Sequence, residues 1–145
     1  MAARKDPYLG YNFKLEIQGV FSGGFRECTG LDTTSDPVDY REGDDKVFTN
    51  WKLPGLVKYA NIVLKRGILD DGKKLFDWRK KTIDGKTERQ HVTIHLCDTT
   101  GETKMSWNIV NGWPTKWTGM SLNATANEVA IETLEIVHEG FERAG

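Results

Sequence analysis

The chain is 145 residues long, 38% hydrophobic and 28% charged, with a formal net charge of −1. That balance excludes a global attraction to nucleic acid or to a membrane surface, and no apolar run reaches the length of a membrane span. One domain over residues 1–145 is the natural expectation, large enough to bury roughly two-thirds of its unfolded surface.

Taken in chain order, alternation dominates. In Tyr11–Ile17 the residues Phe13, Leu15 and Ile17 point one way and Asn12, Lys14 and Glu16 the other, as in a half-buried strand. Ser22-Gly23-Gly24 supplies a positive-φ turn for a hairpin into Phe25–Thr33. Pro37 and the Glu42–Asp45 cluster bracket a short strand, Val38–Arg41. Residues 43–60 read as a long excursion rich in charge and glycine, and loops of that length in compact domains are usually functional. It carries Val47, Phe48, Trp51 and Leu56, apolar side chains that want a partner surface.

Asn61–Arg66 is the next strand. Asp70-Asp71 then offers N-cap carboxylates to a helix over residues 72–82. Leu75, Phe76, Trp78 and Ile83 share one arc of that helix, and Lys73, Lys74, Asp77, Lys80 and Lys81 fill the opposite side, so the helix needs a sheet to lie against. His91–Cys97 follows with Val92, Ile94 and Leu96 inward, then a turn at Asp98–Glu102. Lys104–Val110 has Met105, Trp107 and Ile109 inward; Trp113–Thr118 and Val129–His138 close the fold. About seven or eight short antiparallel strands and one helix make a mainly β protein, a β-sandwich or partly open barrel with the helix against one face.

Chemistry is sparse. His91 and His95 have a spacing that pairs metal ligands on a helix, but on a strand it separates the imidazoles by ~13 Å, too far for one zinc ion. His138 beside Glu139 reads as a strand-end hydrogen-bonding group. Cys28 and Cys97 cannot build a disulfide framework and read as free thiols acting as small apolar residues. His95 near Cys97 lacks the oriented contact a thiol nucleophile needs. Asp44-Asp45 has no calcium-loop pattern, and Gly23-Gly24 has neither phosphate-loop spacing nor a following helix. Asn123-Ala124-Thr125 is a glycosylation sequon without a secretory route, because Met1–Pro7 lacks a signal-peptide core. The cluster Lys58, Lys65, Arg66, Lys73 and Lys74 reads as a solvated face. No catalytic residue, cofactor or metal is expected. Of the five tryptophans, Trp78 and Trp107 fit the core, while Trp51, Trp113 and Trp117 suit either a subunit interface or sugar stacking. A non-catalytic carbohydrate-binding β-sandwich is therefore the alternative function.

A series of segments also carries a resemblance. Asp6-Pro7-Tyr8, the strand Tyr11–Ile17, Cys28-Thr29-Gly30-Leu31, Val38–Gly43, Lys52–Trp78, Asn127–Glu132 and His138-Glu139-Gly140 occur in an order and spacing that resemble the inner tube proteins of contractile phage tails and of bacterial contractile injection systems. The resemblance implies a structural protein whose hexameric rings stack into a hollow tube propelled by sheath contraction, each ring joining its subunits' sheets into one β-barrel around the channel. The partners implied are further copies of the chain, a contractile sheath protein, baseplate or hub proteins, and cargo in the lumen, a protein effector rather than DNA, with no direct membrane anchoring. By the same analogy residues 43–60 reach an adjacent subunit or ring through Trp51, Leu53, Pro54 and Leu56, and the segment around Tyr8 adds a ring-to-ring contact. The helix presents Lys73, Lys74, Asp77, Lys80 and Lys81 to the sheath. Alternation in Val129–Val137 changes phase near Glu132-Thr133, leaving Thr133 and Glu135 as the lumen-facing candidates. Assembly is expected in the cytoplasm, in a phage tail-like particle that is released or held at a membrane through other proteins.

Overall fold

The computed structural model describes residues 10, 12–41, 43, 51–67, 73–119, 122, 124–125 and 129–144. Among them are ten strands and one helix: β1 Phe13–Ile17, β2 Phe21–Gly24, β3 Glu27–Thr29, β4 Thr33–Tyr40, β5 Trp51–Tyr59, β6 Ile62–Gly67, α1 Lys73–Ile83, β7 Gln90–Cys97, β8 Thr103–Thr118, β9 Ile131–Val137 and β10 Phe141–Ala144. The strands pair antiparallel in the order β2-β1-β7-β8-β9-β6-β3, with β10 added alongside β8, and β4 and β5 form a separate two-stranded sheet. Among the described residues the main sheet is open, ending at β2 and β3, and the expected architecture of a mainly β protein with one helix on the sheet is what forms.

Strand β8 organises it. Through residues 103–112 it pairs with β7, and along the same stretch Ser106–Ile109 pairs with β10; through Trp113–Thr118 it pairs with β9. The sequence reads as two strands here because Asn111 adopts φ 51° and Gly112 follows it. Asn tolerates that left-handed geometry better than most residues, so the chain bends without leaving the ladder. Leu15 and Ile17 of β1, Ile62 and Leu64 of β6, Val92 and Ile94 of β7, Ile109 of β8, and Leu134 and Ile136 of β9 turn inward. Leu75 and Trp78 of α1 join them, and the Trp78 indole Nε1–H donates to the Glu88 carbonyl at 2.8 Å.

Several local expectations are corrected. The β1–β2 turn is made by residues 18–20 around Gly19 (φ 73°), and Ser22-Gly23-Gly24 lies inside β2. Phe76 and Ile83 are exposed despite their apolar arc; Phe76 meets the edge of Trp117 with ring centroids 4.9 Å apart. A register shift between Leu96 and Cys97 lets Cys97, and not Leu96, complete the buried row of β7. Arg66 belongs to no solvated basic face: it is 3% exposed. Strand β10 was not anticipated. The Asp70-Asp71 cap, Gly72, Asp44-Asp45, Val47, Phe48 and Asn123 lie outside the described residues.

Gly30 sets the departure of β4 from the main sheet. It holds φ 101°, and a Cβ there would run into the Asn61 carbonyl oxygen. Gly30→Ala is expected to cost about 2–4 kcal/mol through backbone strain plus collision, read as a lower midpoint in denaturant unfolding.

Candidate assembly surface

Within the expected loop 43–60, the described residues 51–59 are not a loop. Trp51–Tyr59 is a strand, paired with Thr33–Tyr40 into a two-stranded arm. Pro37 sits opposite Pro54, and the register shifts beside them, where Gly55 must approach the Asp36 carbonyl oxygen too closely for any side chain. Prolines and glycine argue against a central strand, but a ribbon that is edge on both sides tolerates them. Every residue of β4 is exposed, and every residue of β5 except the half-buried Gly55. A two-stranded ribbon is marginally stable alone and needs something to lie on.

What it offers is apolar. Val38 stands opposite Leu53 and Tyr40 opposite Trp51, so period-two alternation places all four on one face. The Tyr40 and Trp51 rings are 6.1 Å apart, and Trp51 remains 61% exposed. Leu56, at the register shift, is 76% exposed. The other face carries the Asp39–Lys52 ion pair, and a Lys58–Asp36 pair at 2.9 Å lies nearer the body. Exposed surface ion pairs of this kind contribute little stability and serve mainly to set register and charge complementarity.

The structure thus brings Trp51 and Leu53 together, sets Pro54 across from Pro37, and places Leu56 at the irregularity. Tyr8 lies outside the described residues. Val38 and Tyr40 were missed as contact candidates. Their alternation was visible, but the pairing that adds them to Trp51 and Leu53 is not local.

On α1, Lys73, Lys74, Asp77, Lys80 and Lys81 are all exposed. Lys81 is ion-paired with Glu88, and that hydrogen bond is the main reason the Glu88 carboxyl titrates below its usual range. Thr133 and Glu135 share the face of β9 turned away from the core, with Thr133 opposite both Lys65 and Thr118 and Glu135 opposite both Val63 and Lys116. The phase change inferred at Glu132 does not occur. Alternation runs unbroken, and Glu132 itself is 4% exposed. Its Oε1 lies 3.4 Å from Arg66 Nε, its cross-strand neighbour, and its Oε2 accepts from the Trp117 indole at 3.2 Å. The Arg66 guanidinium lies over the rings of Phe21 and Phe25, 4.8 and 5.7 Å from their centroids.

The same geometry bears on the chemical alternatives. Trp113 and Trp117 are half-buried, and Trp117 is engaged by Glu132 and Phe76, so they make no open platform for a sugar ring. His95 Nδ1 is 2.8 Å from Ser106 Oγ, and Cys97 is buried. Among the described residues no group of three or more His, Cys, Asp or Glu is placed to hold a metal ion. Burial pushes the Cys28 thiol up to about 11, well above its ordinary range. At pH 8 it should hold about a hundredfold less thiolate than an exposed cysteine and react with iodoacetamide correspondingly slowly, a difference mass spectrometry would resolve.

A family profile described as the T4-like virus tail tube protein gp19 matches residues 9–142. Among solved structures, a chain of the sheath–tube complex of PVC, an extracellular contractile injection system, in its extended state aligns with a TM-score of 0.84 and 29% identity, covering 95% of this chain and 91% of that one. A chain of the anti-feeding prophage tube-terminating cap aligns with a TM-score of 0.84 and 27% identity, covering 99% and 95%. Hcp1 from Flavobacterium johnsoniae shares the fold alone, at TM-score 0.56 and 12% identity over 93% of this chain and 96% of that one. No curated protein sequence matches the chain.

Proposed function

Since the chain belongs to the T4-like virus tail tube protein gp19 family, we propose that it is the structural tube subunit of a contractile injection system, assembling with copies of itself into stacked hexameric rings around a hollow conduit. The observation that carries this reading is the β4–β5 arm, a ribbon exposed on both faces with Val38, Tyr40, Trp51 and Leu53 gathered on one of them. A patch of that kind on a homopolymer subunit is satisfied by a different surface of the next copy, the heterologous contact that builds rings and tubes.

The whole of residues 1–145 acts as one unit in this reading. The lysine-bearing side of α1, with Lys73, Lys74, Asp77, Lys80 and Lys81, meets the sheath. Thr133 and Glu135 face the lumen, where the mixed charges of Lys65, Lys116 and Glu135 suit passage of a protein effector more than retention of a polyanion. A sheath and a baseplate are its partners in this reading, and the likeness to a chain of a sheath–tube complex supports the sheath. Its role is mechanical and not catalytic, the energy coming from the sheath, and the particle assembles in the cytoplasm.

Negative-stain electron microscopy of the purified protein, at high and low concentration, tests this. Rings or hollow tubes at high concentration are expected. A monodisperse monomer at every concentration would overturn self-assembly.

A further inference from the structure

We propose that His138 is a positioning residue for the arm, fixing the angle at which β4–β5 leaves the body; the inference builds on the tube-subunit reading. The arm joins the body through residues 30–32 and 60–61, and the two legs are tied to each other by Ala60 N–H donating to the Asp32 carbonyl at 3.2 Å. His138 ties this root to the sheet beside a second side-chain tie, Asn61 Nδ2–H donating to Glu135 Oε1 at 3.2 Å. Its Nδ1 accepts from Gly140 N–H at 3.1 Å, which places the ring proton on Nε2, and Nε2–H donates to the Ala60 carbonyl at 2.9 Å. The anchor itself is firm: Glu139 N–H donates to the Val110 carbonyl, and Val110 N–H to the Gly140 carbonyl, both at 2.9 Å. The turn between β9 and β10 is thereby fastened to β8.

Aromatic packing completes the clamp. Tyr59, the last residue of β5, sets its ring edge-on to Phe141 at 5.3 Å between centroids and lies 5.8 Å from the His138 ring, above Gly140. One imidazole therefore bridges the base of the arm and the turn against which Tyr59 rests. A contact arm held at a fixed angle in the free subunit has less freedom to lose on docking, so the clamp lowers the ordering cost of assembly.

Trypsin cleavage after Lys58, next to the clamp, reads its state in dilute monomer. His138→Ala and Tyr59→Ala are each expected to speed that cleavage about tenfold while leaving sites in the main sheet unchanged, and to raise the concentration at which tubes form by a similar factor. His138→Gln retains one acceptor and one donor and is expected to restore both readouts. Wild-type cleavage rates in both alanine variants overturn the clamp, as does an equal acceleration at every site. If the unaltered chain never forms tubes, the tube-subunit reading fails, and Lys58 cleavage in the monomer still decides on His138.

Discussion

Trp51→Ala is expected to yield a folded monomer that assembles poorly. The indole belongs to an arm outside the main core, and among the described residues its ring neighbour is Tyr40, a contact worth about 0.5–1.5 kcal/mol. Thermal unfolding of the body should therefore change little. At an interface the situation reverses. A large aromatic side chain that passes from mostly exposed to buried is the commonest kind of energetic anchor, and its truncation costs about 2–4 kcal/mol per contact. That corresponds to roughly 30- to 1,000-fold in the concentration needed to form tubes. Sedimentation of tubes across a concentration series, beside a melting curve, separates the two effects. Normal tubes at the wild-type concentration would remove Trp51 from the docking surface.

Glu132→Ala should strike the fold instead. Arg66 and Glu132 are both almost fully buried and face each other across β6 and β9. Removing the carboxylate leaves the guanidinium desolvated against Phe21 and Phe25 and takes the acceptor from the Trp117 indole. Losing one partner of such a buried pair costs about 3–5 kcal/mol, because the desolvation of the other is no longer offset by their mutual attraction. For a chain of this size the melting temperature should fall by about 10 °C. Replacing both partners, Arg66→Met with Glu132→Leu, is expected to recover much of that loss, since a buried pair can be neutral relative to an apolar one. A double variant as unstable as Glu132→Ala would show that Arg66 is not the source of the penalty.

These two positions also mark where the sequence could be read and where it could not. Strands such as Phe13–Ile17 and Ile62–Gly67 were legible because apolar residues alternate with polar ones at the period of a half-buried strand. Glu132 occupies an inward slot in the same rhythm, yet a lone carboxylate there looks like a phase change. Only the fold brings up the distant Arg66 that makes its burial tolerable. The arm reads as a loop in the sequence for a related reason. Pro54 and Gly55 are strand-breakers when judged locally, and the partner strand that accommodates them runs past Pro37. Trp51, Leu53, Pro54 and Leu56 could be chosen because exposed apolar side chains among charges stand out. Val38 and Tyr40 could not, since cross-strand adjacency is not written in either strand. Strand β10, four residues long, is too short to show a period.

The single long strand that serves both halves of the sheet has a mechanical consequence. Because β8 is bonded to β7 and β10 over one stretch and to β9 over another, thrust entering either half reaches the other through one continuous covalent backbone. Hydrogen bonds that run perpendicular to a strand share a load directed along it. A push along β8 is therefore carried by many bonds at once, whereas a force that lifts an edge strand opens them in succession. Stiffness in such a subunit depends on the direction of loading.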